Sequence, residues 1–185
     1  MDIIDKAKEF YRKQMDGYWL SDFHKGHVFE FEQIANSFPR RFPETDMEIM
    51  ILSIWLHDLG LPSEGEGDHA VIGEAIAREW LASEGYDAEK MDKVCHCIRA
   101  HRCRDVMPET LEAKLIAFGD SASHLTQGVH FDIAKENKRG NKYDALEKLE
   151  RDWRDLSLFP EMKEDFRKLY EAWKAVIIAY REINV

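Results

Sequence analysis

Apolar residues recur along this chain at steps of three and four, the spacing that places them on one face of an α-helix. No stretch alternates apolar and polar residues as a half-buried strand does, so the pattern predicts an all-α fold. Helices are expected over residues 3–15, 21–38, 46–57, 69–85, 88–101, 109–125, 143–156 and 161–183. Breakers separate them: Pro39 and Pro43, Gly60 with Pro62, Gly65 with Gly67, Gly85, Pro108, Gly140 and Pro160. The run Met50-Ile51-Leu52-Ser53-Ile54-Trp55-Leu56 is apolar almost all round and is therefore expected at the centre of the core. Residues 61–68 read as an acidic loop, and residues 128–142, with Lys135, Lys138, Arg139 and Lys142, as a basic loop that is solvated or approaches an anion. The last helix carries Phe166, Leu169, Tyr170, Trp173, Val176, Ile177 and Tyr180 as one stripe, which either closes the core or meets a second subunit in a homodimer.

Several polar residues interrupt these stripes from within. His27 sits in the series Phe23, His27, Phe31, Ile34, Phe38, and His24 lies beside it. His101 ends the series Met91, Val94, Ile98, and His69 opens the series Ile72, Gly73, Ile76, Trp80 with Asp68 before it as a cap. Asp120 flanks the apolar line of Leu111, Leu115, Phe118, Ala122 and Leu125. The central helix delivers His57 and then Asp58 at its C-terminal end, where a carboxylate opposes the helix dipole. A single inward histidine is usually a satisfied core imidazole. Four of them with two acids need a common partner, because buried titratable groups are costly unless paired or bound to a cation. A shared divalent ion satisfies neutral imidazoles and ionised carboxylates together. Mixed nitrogen and oxygen donors suit Mn, Fe, Co, Ni or Zn better than Ca.

The length, 185 residues, suits one compact domain spanning 1–185, with the chemistry in 24–125 and the C-terminal helices in 143–185, about seven or eight helices in all. Lys and Arg number 26 against 36 Asp and Glu, a net charge of −10 that excludes a general surface for extended nucleic acid. No apolar stretch approaches the ~18 residues of a membrane span. The N-terminus lacks the features of a signal peptide, so the chain is expected in the cytoplasm. Cys95, Cys97 and Cys103 do not have the spacing of a structural zinc site and read as small apolar filler.

The order His27, His57-Asp58, Asp120 resembles the HD superfamily of metal-dependent phosphohydrolases. Ala35 eight residues after His27, the block Leu56-His57-Asp58-Leu59-Gly60, and Glu112-Ala113-Lys114 leading to Gly119-Asp120 all look like the family's blocks. The resemblance implies an HD-domain-like helical fold with His27, His57, Asp58 and Asp120 as metal ligands. It implies too that His69 and His101 either bind a second ion, with Asp58 as the bridge, or meet substrate phosphate. The chain departs from the family pattern at Glu30, where an Arg is frequent, at Gly119, where Ala is usual, and at Leu61, where one nucleotidase branch has a catalytic acid. The implied activity is hydrolysis of a nucleotide or other small phosphate ester by metal-activated water, with one or two ions per chain. Proton transfer is expected from Glu64, Glu66 or Asp68 in the acidic loop, or from His69 or His101 if these are not ligands. Arg40, Arg41, Arg99, Arg102 and Lys135 are candidate phosphate contacts. Two other readings follow from the same residues: a di-iron oxygenase-type HD enzyme, and a catalytically silent nucleotide-binding sensor.

Overall fold

The computed structural model describes residues 1–18, 21–138 and 144–183, with the side chains at 21–25, 64, 66 and 138 outside that description. Among the described residues every regular element is helical: α1 (Ile3–Gln14), α2 (Ser21–Ala35), α3 (Met47–Leu56), α4 (His69–Ser83), α5 (Ala88–Ala100), α6 (Leu111–Gln127), α7 (Val129–Lys138), α8 (Ala145–Asp155), α9 (Pro160–Lys163) and α10 (Arg167–Glu182). None of these is long and apolar enough to cross a membrane. The chain divides into two compact units, Met1–Ala117 and Phe118–Val185, the boundary falling within α6.

In the first unit α3 is the hub, packed against α1, α2 and α5, while α4 packs along α5. Asp46 starts α3 by accepting from the backbone N–H groups of Glu48 (3.0 Å) and Ile49 (3.3 Å), two of the donors a helix N-terminus leaves unsatisfied. From Ile49 to Leu56 every residue is buried, as an apolar pattern without a polar face requires. Each fully buried Leu or Ile there stabilises the fold by about 1.5–3 kcal/mol. α1 and the Met15 that ends it contribute Ala7, Tyr11 and Met15 to the core, with the Tyr11 ring edge-on to Trp55 at 5.5 Å.

α4 differs from its apolar stripe. The buried line is Ala70, Gly73, Ala77 and Leu81 rather than Ile72, Ile76 and Trp80. Small residues win because the backbone of α4 meets the turn that follows Asp58: a methyl on Gly60 would run into the His69 carbonyl, and one on Gly73 would lie 3.0 Å from the His57 carbonyl oxygen. Trp80 instead stacks on Phe10 at 5.0 Å. Residues 61–66, expected as open loop, form tight 3-10 turns broken at Ser63.

In the second unit α10 packs against α7 and α8, and α7 against α8. The segment after Gly128, expected as a basic loop, is instead helical through Lys138. Gly128 at φ +72° turns the chain out of α6, and Val129, His130 and Ala134 are buried on one face of α7. Its basic residues Arg139 and Lys142 lie outside the described residues, as does the Lys138 side chain; Lys135 is exposed and paired with Asp132. The single helix expected over 161–183 is divided into α9, a 3-10 turn at Glu164–Phe166, and α10. On α10 only Ile177 of the stripe is fully buried, and Val176 is exposed.

Candidate metal centre

Five of the sequence-selected residues converge in the first unit. α2 supplies His27, the end of α3 supplies His57 and Asp58, the start of α4 supplies His69, and the residue after α5 is His101. His27 Nε2 and His57 Nε2 lie 3.3 Å apart. His69 Nε2 and His101 Nε2 lie 3.4 Å apart. The Asp58 carboxylate serves both pairs: Oδ2 is 3.2 Å from His57 Nε2 and 3.9 Å from His27 Nε2, while Oδ1 is 3.8 Å from His69 Nε2. Two groups able to hold a cation result, His27-His57-Asp58 and Asp58-His69-His101.

The donor chemistry fits a metal. His57 Nδ1 is 2.8 Å from the Ile54 carbonyl oxygen, and His101 Nδ1 is 2.6 Å from that of Ile98. A carbonyl only accepts, so Nδ1 carries the proton and Nε2 presents its lone pair. This is the outer-shell arrangement that orients metal-binding imidazoles. Nitrogen ligands about 2.0–2.1 Å from one ion stand about 3.0–3.4 Å apart, which matches the spacing within both pairs. His27, His57, Asp58 and His101 are buried.

The surroundings hold this geometry. Asp68 caps α4 through the Ala70 N–H at 2.9 Å and binds Arg102 at 2.7 Å. Burial raises the Asp68 carboxyl, but the Ala70 N–H, Arg102 and His69 outweigh it and hold the group below its ordinary range. Asp68 is therefore committed to structure as an anion. Arg99 is likewise paired with Asp105. Arg40 and Arg41 are exposed. The side chains of His24, Glu64 and Glu66 lie outside the described residues. Cys95 and Cys97 are buried in α5; burial pushes their thiols up to about 11 and about 12, and neither belongs to a cation-capable group among the described residues. His96 accepts from the Glu109 N–H at 3.1 Å.

Tyr11 was not singled out by its sequence context, yet its hydroxyl is buried with no hydrogen-bond partner among the described residues, and burial followed by the charge of Asp58 raises its pKa. Its only signal was its place in the stripe of α1.

In the second unit Asp120 is buried on α6, and His124, one turn on, places Nε2 3.7 Å from Asp120 Oδ1. His124 belongs to a polar network with His130, Lys148 and Asp152 that sequence reading also missed. The signals were present: Asp120 with His124 and Lys148 with Asp152 are pairs four apart, which share a helix face.

A family model described as HD domain matches residues 25–124. The proteins named Ribonuclease Y of Salinispora arenicola (strain CNS-205) and Salinispora tropica (strain ATCC BAA-916) are each 39% identical to this chain over 99 residues. That stretch is 52% of this chain and only 15% of theirs, so the chain spans a small part of the curated relatives it matches. No solved structure matches the chain.

Proposed function

Because the chain belongs to the HD-domain family, we propose that it is a metal-dependent phosphohydrolase acting on a nucleotide or another small phosphate ester. The observation that carries this reading is one carboxylate, Asp58, set between two imidazole pairs whose nitrogens stand at ligand spacing. His27 and His57 with Asp58 Oδ2 would hold one divalent ion, and His69 and His101 with Asp58 Oδ1 a second. The family's order of sequence blocks adds Asp120 to the proposed ligands. A bound transition ion supplies a hydroxide near neutral pH and polarises a phosphoryl oxygen.

The protein's own part is placement. Ile54 and Ile98 carbonyls keep the lone pairs of His57 and His101 turned inward, and the Asp68–Arg102 pair with its cap anchors the turn that carries His69. Proton transfer to the leaving group is assigned to the acidic loop, to Glu64 or Glu66, because Asp68 is committed as an anion and the two histidines serve as ligands. The substrate is small and soluble on this reading, since a net charge of −10 repels a long polyanion. The copies of the chain act in the cytoplasm.

Protein purified without chelator is expected to carry transition metal, to lose turnover in EDTA and to regain it with Mn²⁺. The substrate panel should hold nucleoside mono- and triphosphates, a cyclic nucleotide and a short oligoribonucleotide, the last because of the relatives' name. Full turnover by metal-free protein overturns the proposal. The second triad at Asp58 also favours one other reading, a di-iron oxygenase; iron content, colour and oxygen uptake distinguish it from a hydrolase. Tight nucleotide binding without turnover across the panel identifies a sensor.

A further inference from the structure

The Tyr11 side chain is fully buried, at 0% exposure, and its hydroxyl has no hydrogen-bond partner among the described residues. Other phenols of the chain are satisfied: Tyr86 donates to Glu48 and Tyr170 to Glu150, each at 2.8 Å. A buried hydroxyl without a bond costs desolvation energy that a phenylalanine would avoid. The Tyr11 ring already does what a phenylalanine ring would do, lying edge-on to Trp55 on the buried line that runs from Ala7 to Met15. The oxygen is the part of this residue that packing does not explain.

The fold sets that oxygen toward the metal centre. α1 packs on α3, and the Trp55 that carries the Tyr11 ring stands two residues before His57. Among the described residues the charge that acts on the hydroxyl is that of Asp58. Burial and this negative charge both disfavour a phenolate, so the group stays an O–H donor. Space for a ligand adjoins both segments. Gln14, Gly17 and Tyr18, which follow Tyr11, and Leu61, Pro62 and Gly65, which follow Asp58, line a cavity of about 530 Å³. The Leu61 N–H donates to the Asp58 carbonyl at 3.0 Å, which ties that wall of the cavity to the doublet. With Asp58 engaged in holding a divalent ion, its charge is offset, and the acceptor suited to a buried O–H donor there is an oxygen of a bound phosphate.

We propose that the Tyr11 hydroxyl donates a hydrogen bond to a phosphoryl oxygen of the substrate bound at Asp58. The inference rests on the reading of Asp58 as a metal ligand in a phosphohydrolase. A donor that has no bond to give up in the folded protein delivers its full strength to the ligand, and a ring locked against Trp55 pays no ordering cost when the ligand arrives. The cost falls instead on the stability of the free protein, the usual exchange at a functional site.

The test uses the full chain, zinc-loaded, with inorganic phosphate as the probe and zinc content measured on every sample. Tyr11→Phe removes one oxygen and keeps the ring. It should keep its zinc and melt at the same temperature or higher, yet bind phosphate about tenfold more weakly, the weight of a lost hydrogen bond to a charged group. Phosphate added to the unmutated protein should shift the near-ultraviolet absorption of tyrosine, and that difference band should be missing from Tyr11→Phe. Tyr86→Phe, which loses a hydroxyl bonded to Glu48, should retain both the affinity and the band. A merely structural hydroxyl would lower the melting temperature on removal and leave phosphate binding as it was. Unchanged phosphate affinity in Tyr11→Phe, a difference band that survives the substitution, loss of zinc from that variant, or no phosphate binding by the zinc-loaded unmutated protein each overturns the proposal. Asp58→Ala separates the two levels: if that variant retains all its zinc, the underlying reading of Asp58 fails, and if it loses zinc while Tyr11→Phe binds phosphate normally, only the role of Tyr11 fails.

Discussion

At the scale of single residues, identity alone does not decide what an imidazole does; the partner of its other nitrogen does. His57 and His101 each face a backbone carbonyl, whereas His124 faces an ammonium. His57→Ala and Asp58→Ala are expected to carry no metal after dialysis and to lose essentially all turnover, as elemental analysis of the dialysed variants will show. The buried His130 and Asp152 make the chain sensitive to acid. His130 is held below its ordinary value by burial, which outweighs its bond to Asp152, and Asp152 is held low by the groups around it despite burial. A group depressed in the folded state takes protons more readily when unfolded, so its stabilisation is complete above the unfolded pKa and fades as pH falls. Stability is therefore expected to fall first below about 6.5, where unfolded histidine titrates, and again below about 4, where unfolded aspartate does. Urea midpoints measured from pH 7.5 to 3.5 check this; His130→Gln should flatten the first stage, and a midpoint constant from pH 7.5 to 5 refutes it. The inward histidines were legible in the sequence because they interrupt apolar stripes. His130 was not, because the basic residues that follow it read as a solvated loop, and Asp152 was not singled out within its expected helix.

At the scale of elements, two glycines govern where His69 stands. Gly60 follows the Asp58 turn and Gly73 lies one turn into α4, and each meets backbone atoms of the other's segment. Backbone cannot rotate away as a flexible side chain can, so Gly60→Ala and Gly73→Ala are each expected to cost about 1–3 kcal/mol in a urea titration. Metal titration of the same variants should show the His69-His101 site weakened while the His27-His57 site persists; equal loss at both would mean that α4 does not set this spacing. Asp68→Ala removes a cap and the Arg102 partner together, at a cost of about 1 kcal/mol for the cap. The helices themselves were largely legible, including the cap at Asp68. Two boundaries were not. Residues 128–138 are polar enough to read as loop, yet a single apolar face packed on α8 and α10 holds them as a helix. Residues 161–183 kept helical periodicity through Glu164–Phe166, although the backbone there tightens into a 3-10 turn that periodicity does not register.

At the scale of the molecule, metal binding and folding are coupled, because each proposed site is closed by residues from separate helices. Saturating metal at one hundred times its dissociation constant should stabilise the chain by about 2.7 kcal/mol per site. Thermal melts with EDTA and with restored Mn²⁺ will read this gain. Asp58→Ala should abolish the response to metal entirely, because both sites share that carboxylate; a response retained in that variant would show that the sites are independent of it. The sequence by itself determined the all-helical class, the central place of α3 and that His27, His57 and His101 turn inward, since each depends on spacing within one helix, where 3.6 residues per turn fix the face. Only the tertiary structure decided that His27 meets His57, that His69 meets His101 and that Asp58 stands between the pairs. Those partners are 30 and 32 residues apart, and no local period connects them; their approach depends on helix packing and on the glycine contact that brings α4 against the turn after Asp58.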